Sequence, residues 1–139
     1  SRPIKLSDFF LNPKPYTLHP IFILDKIGYL NSAYSLATVV FIGGSLVKHG
    51  GQNPIEPAVF EKAILFGPHM FNFKDISRSF LSNNGAVRVS NKEELIKGAR
   101  RLLNDKNIRD ELGRNAKKIV MAGRGATERN LAAIKNLIK

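Results

Sequence analysis

Residues 38–73 read TVVFIGGSLVKHGGQNPIEPAVFEKAILFGPHMFNF, and the order of chemistry along them decides the fold. Thr38 to Ile42 is a β-branched apolar run, too short for a helix and apolar throughout after Thr38, as expected of a strand covered on both faces. Gly43, Gly44, Gly50 and Gly51 then break the pattern into a loop. Asn53, Pro54 and Glu56 have the chemistry of a helix start. Asn53 reads as the N-cap, Pro54 as the first helical residue, where a missing N–H costs nothing, and Glu56 as the third residue of a capping-box-like turn. Pro57 and the Glu61-Lys62 pair keep this helix short, and Ala63 to Phe66 is a second apolar run ending in Gly67-Pro68. Strand, loop, helix and strand make a βαβ unit, and open α/β sheets bind ligands at the carboxyl ends of such strands.

Working outward, Ile21 to Leu24 predicts another buried strand, and Gly28 to Ala37 a helix with Leu30, Ala33, Tyr34 and Ala37 on one face. Residues 1–20 carry four prolines and no sustained period, which predicts an irregular N-terminal segment ahead of a body at 21–139. Toward the C-terminus, Lys74 to Asn84 predicts a helix stopped by Gly85, and Ala86 to Val89 a fourth strand. Asn91, with Glu94 three residues on, caps a helix carrying Leu95, Ala99, Leu102 and Leu103. Further helices are predicted over about Asn107–Ala122 and Gly125–Lys139. Strands alternating with helices, then helices alone, specify an α/β fold: a parallel-sheet, Rossmann-like domain with a C-terminal helical tail.

The chain has 139 residues and is 43% apolar, one domain's worth or less. It lacks cysteine, which excludes structural disulfides and thiolate metal sites and points to an intracellular protein. No leader-like segment opens it, and no run approaches the ~20 apolar residues of a membrane span. It begins at Ser1, as expected of a piece of a longer polypeptide. The net charge of +11 is uneven: residues 71–139 hold 16 Lys/Arg against 7 Asp/Glu, and the first 70 hold 6 against 4. The C-terminal helices therefore suit an anionic partner (nucleic acid, a phosphate-bearing ligand or a membrane surface) or form a solvated face. Nucleic acid is disfavoured, because no reading motif is present and the aromatic residues lie away from the basic segment.

Glu56 has two readings, as a residue serving its own helix start or as a carboxylate accepting two hydrogen bonds from a vicinal diol such as a nucleotide ribose. Gly44 and Ser45 can present N–H groups to a phosphate, although neither the Walker pattern nor GxGxxG is present. Gly50 and Gly51 serve a tight turn or a close ligand approach. His19, His49 and His69 stand 30 and 20 residues apart without acidic companions, so no metal site is expected. No nucleophilic triad or catalytic carboxylate pair assembles, so no catalytic residue is assigned. The chain reads as the binding half of a site.

Phe41-Ile42-Gly43-Gly44-Ser45-Leu46-Val47, then Gly50-Gly51-Gln52-Asn53-Pro54-Ile55-Glu56-Pro57, then Leu65-Phe66-Gly67-Pro68-His69-Met70-Phe71-Asn72-Phe73-Lys74-Asp75-Ile76 together resemble bacterial 3-deoxy-D-manno-octulosonic acid (Kdo) transferases. The resemblance runs from about Ile21 to the C-terminus. It implies a GT-B glycosyltransferase of lipopolysaccharide synthesis, in which two Rossmann-like domains face each other, the N-terminal one receiving lipid A precursor and the C-terminal one binding CMP-Kdo. This chain resembles the later part of the C-terminal domain.

The resemblance implies that Asn53, Pro54, Ile55 and Glu56 form the nucleotide-binding segment. Ile27, Gly28 and Tyr29 stand where the family has Met-Gly-Glu, so backbone contacts at Ile27 and Gly28 can persist but a carboxylate contact at Tyr29 cannot. Gln52 stands where His is usual, and Lys48-His49 replaces a common Pro-Arg or similar pair. The implied reaction is metal-independent and uses no cofactor beyond the CMP-Kdo donor. Its catalytic carboxylate belongs to the N-terminal domain, so this chain alone is expected to be inactive. The implied location is the cytoplasmic side of the inner membrane, against its anionic face. Two other readings stay open: the donor domain of another GT-B enzyme and a basic nucleic-acid-binding module.

Overall fold

The structure, a computed structural model, describes residues 4–7 and 21–123. The chain divides into two compact units, Ser1–Leu36 and Ala37–Lys139.

In the first unit, β1 (Ile4–Lys5) pairs in parallel with β2 (Phe22–Ile23), placing Ile4 opposite Phe22 and Lys5 opposite Ile23. The apolar run at Ile21–Leu24 is thus a strand, but it does not extend the main sheet, and both β2 residues are exposed. Apolarity announces a strand without naming its partner, and a two-residue partner leaves no period to read. That partner lies within the segment expected to be irregular. Ser7 fastens the pairing: its N–H donates to Asp25 Oδ1 at 3.0 Å, and its hydroxyl donates to the other carboxylate oxygen. These bonds, the hydroxyl's foremost, hold the Asp25 carboxyl below its usual range. Helix α1 (Leu30–Leu36) follows, with no buried residue.

The second unit is built on a three-stranded parallel sheet in the order β3 (Val39–Phe41), β4 (Ala63–Phe66), β5 (Val87–Arg88). Val39 pairs with Ala63, and Leu65 with Val87. Every residue of β4 is buried. Its alternation divides the core: Ile64 and Phe66 join Ile42, Ala58, Met70, Phe80 and Ala116 in one cluster, while Ala63 and Leu65 join Val89, Leu102 and Leu112 in the other. The helices are α2 (Ile55–Val59), α3 (Lys74–Ser82), α4 (Lys92–Asn104) and α5 (Lys106–Ala122).

Sequence-encoded caps start the long helices. Asn91 Oδ1 accepts from Glu94 N–H at 2.9 Å, and the Glu94 carboxylate accepts from Ser90 N–H at 2.7 Å. Asp105 caps α5 by accepting from Ile108 N–H, and Arg109 donates to the carbonyls of Leu102 and Leu103 at the end of α4. Helix α5 presses on the α2–β4 turn at Gly113, where a Cβ would stand 2.0 Å from the Glu61 carbonyl oxygen. Glu61 itself adopts φ +56° there, and Lys117 pairs with its carboxylate at 2.8 Å. The helix expected at Gly125–Lys139 lies outside the described residues. No helix among the described residues is long and apolar enough to cross a membrane.

Candidate functional site

The loop leaving β3 folds back on itself: Gln52 N–H donates to Gly43 carbonyl at 3.1 Å and Gly51 N–H to Gly44 carbonyl at 3.3 Å. Gly50 and Gly51 have positive φ. A Cβ on Gly50 would lie 2.3 Å from Asn72 Nδ2, and one on Gly51 would lie 2.3 Å from Met70 Sδ. It is the left-handed backbone, φ +97° and +76°, that requires glycine at both positions, while the side chains of Asn72 and Met70 close over them.

Ser45 is fully buried. Its hydroxyl donates to Ile42 carbonyl at 2.5 Å and accepts from Gly67 N–H at 2.7 Å, and its carbonyl accepts from His69 N–H at 2.9 Å. The hydroxyl thus joins the loop after β3 to the loop after β4. A phosphate contact at Ser45 would have to come from the backbone. Gly67 lies so close that a Cβ on it would be 2.2 Å from Ser45 carbonyl oxygen. Gly44, with φ +70°, faces the His49 ring, whereas a Cβ on Gly43 would meet nothing within 4 Å.

The Asn53–Glu56 turn keeps the expected cap at Asn53 but not the bonds of a capping box. Helix α2 runs over Ile55–Val59, but Pro54 before it already has helical angles, φ −85° and ψ −8°, and makes no side-chain cap, so the capping side chain is that of Asn53. Asn53 Oδ1 accepts from Ile55 N–H at 3.0 Å, and its Nδ2 donates to Glu56 Oε1 at 3.0 Å. Pro54 is fully buried, while Asn53, Ile55 and Glu56 are half-buried. With five residues, α2 is too short to offer an anion a useful dipole. What the turn presents is the Glu56 carboxylate, held by an amide.

Ile27, Gly28 and Tyr29 belong to the first unit, where Ile27 is fully exposed, Tyr29 is exposed and Gly28 has φ +94°. His49 and His69 lie in the loops after β3 and β4, and His19 lies outside the described residues. No group of three or more His, Asp or Glu side chains suited to a metal ion forms among the described residues.

No protein-family model matches the chain. Over 125 residues, 89% of its length, it is 37% identical to the 3-deoxy-D-manno-octulosonic acid transferase of Haemophilus influenzae, covering 29% of that protein. It is 41% identical over 96 residues, 69% of the chain, to the transferase of the same name from Rickettsia typhi, covering 21% of it. The chain thus spans less than a third of the length of these relatives. Among solved structures, it superposes on the C-terminal CMP-Kdo binding domain of WaaA from Acinetobacter baumannii with a TM-score of 0.69 and 28% identity, over 73% of this chain and 53% of that one. A match over 89% of the chain necessarily takes in both the β3 loop and the Asn53–Glu56 turn. By sequence the chain belongs to the 3-deoxy-D-manno-octulosonic acid transferases, and its fold is similar to that of a C-terminal domain from one of them.

Proposed function

We propose that this chain is the CMP-Kdo-binding part of a glycosyltransferase that moves Kdo onto a lipid A precursor. The observation that carries the reading is the Glu56 carboxylate, half-buried at the mouth of a parallel sheet and held by Asn53, in a chain of this family. A carboxylate offers two acceptors side by side, which suits the cis-diol of the CMP ribose. Backbone N–H groups at Gly44 and Ser45, in the loop after β3, are the contacts this reading assigns to the donor's phosphate. In displacement at the anomeric carbon CMP leaves with the bonding electrons, and N–H groups fixed beforehand in the loop stabilise the charge on its phosphate. No metal takes part. The base that activates the acceptor hydroxyl belongs to sequence outside this chain, so the chain alone binds donor without transferring sugar.

The test is titration of the chain with CMP, UDP and GDP, followed by NMR shift perturbation. CMP is expected to shift residues around Gly43–Glu56 at the lowest concentration. Equal responses to all three nucleotides would favour a donor domain for another sugar, and no response to any would overturn the reading.

The exposed cations Lys97, Arg100 and Arg101 of α4 and Arg114 and Lys118 of α5 suit the anionic cytoplasmic face of the inner membrane. Sedimentation with anionic liposomes at low salt, and release at high salt, checks this.

A further inference from the structure

The donor that holds the Glu56 carboxylate is a side-chain amide, not the backbone N–H a helix-start carboxylate ordinarily uses. In a capping box the acid accepts from the backbone N–H of the N-cap residue. Here Asn53 supplies the capping side chain, accepting from Ile55 N–H at Oδ1. The donor is supplied instead by the side-chain amide of Asn53, whose Nδ2 stands 3.0 Å from Glu56 Oε1. The amide's orientation is forced: a flipped group would set its oxygen against the carboxylate and its NH2 against Ile55 N–H, which Oδ1 now accepts at 3.0 Å. One end of the amide thus fixes Asn53 to the backbone and the other fixes Glu56.

We infer that Asn53 is a positioning residue, one that recognises the nucleotide through Glu56 by holding that carboxylate in the rotamer that meets the ribose diol. This rests on the reading of Glu56 given above and reassigns Asn53 from a nucleotide contact to the support of one. Glu is among the side chains with most rotamer freedom to lose on ordering. Fixing it before the ligand arrives removes that cost from binding.

Asn53→Ser separates the two ends of the amide, since the hydroxyl can still accept from Ile55 N–H but no longer donates across to Glu56. The experiment measures affinity of the chain for CMP and for 2′,3′-dideoxy-CMP by calorimetry, in the unaltered chain, Asn53→Ser, Glu56→Gln and the double variant. We expect Asn53→Ser to melt near the unaltered chain, to weaken CMP about tenfold and to leave dideoxy-CMP within about twofold, as loss of a hydrogen bond to a charged group predicts. In the Glu56→Gln background the same change should cost less than about twofold. Equal weakening of both nucleotides, or an unchanged CMP affinity, would overturn the inference while leaving the Glu56 reading intact. If the unaltered chain does not prefer CMP over its dideoxy form, the Glu56 reading falls and the inference with it.

Discussion

The two units of this chain meet the same demand, ordering a short parallel pairing, by opposite means. In the second unit β4 lies between two strands with all four residues buried, and side chains from α3, α4 and α5 close both of its faces. In the first, β1 and β2 contribute two residues each, β2 is exposed, and α1 buries nothing. Burial orders the one, and hydrogen bonds from Ser7 to Asp25 help order the other. The difference matters for function because Asn53 and Glu56 hang on the buried unit and Ile27–Tyr29 on the exposed one. A site residue inherits the rigidity of whatever its segment is packed on.

The strongest way to break this comparison is to delete one aromatic from each unit. Phe80 is 0% exposed and Phe22 is 56% exposed. Phe80→Ala should cost about 4 kcal/mol through lost transfer energy and the cavity left behind. Phe22→Ala should cost less than about 1 kcal/mol in the same urea titration. Comparable losses would show that the first unit is held by burial after all.

Next in size is Gly67→Ala. The added Cβ would stand 2.2 Å from Ser45 carbonyl oxygen, backbone against backbone, so neither side chain can swing away. A cost of about 3 kcal/mol is expected from overpacking. Ser45→Ala removes the partner of Gly67 N–H and of Ile42 carbonyl inside the same buried junction. Leaving a buried group unsatisfied should cost about 2 kcal/mol. Thermal melts of both variants test whether the two loops at the sheet's mouth are one packed body. A Ser45→Ala variant as stable as the parent would make the hydroxyl dispensable.

These junctions also mark how far the sequence alone could be read. Ala63–Phe66 declared a buried strand because four consecutive apolar residues need cover on both faces, and Asn91 with Glu94 declared a helix start because capping is local. That the Ser45 hydroxyl joins two loops was not legible, because Gly67, whose N–H it accepts, is 22 positions away. The glycines at 50 and 51 do adopt the left-handed backbone of a tight turn, which the pair itself announced. The turn at Asn53 was legible as a helix start, but the bond from its side-chain amide to Glu56 was not, since a capping box predicts a backbone donor. Strand β1 was illegible because two residues carry no period.

The smallest expected effect probes the exposed unit from its own side. Asp25 titrates below its usual range, foremost because the Ser7 hydroxyl donates to its charged form. A folded-state value below the unfolded one means that the β1–β2 pairing gains stability above the ordinary carboxylate range and loses it as pH falls through the lowered value. Asp110 is lowered likewise by Lys106, but across one turn of α5, so its protonation should leave the three-stranded sheet undisturbed. Following both carboxyl carbons by NMR down an acid titration should show loss of β1–β2 contacts coinciding with Asp25 protonation, with β3–β5 unchanged at that pH. Ser7→Ala should return Asp25 toward its ordinary value. If the pairing outlives Asp25 protonation, hydrogen bonding to Ser7 is not what orders the first unit, and the contrast with the buried sheet must be drawn from some other contact.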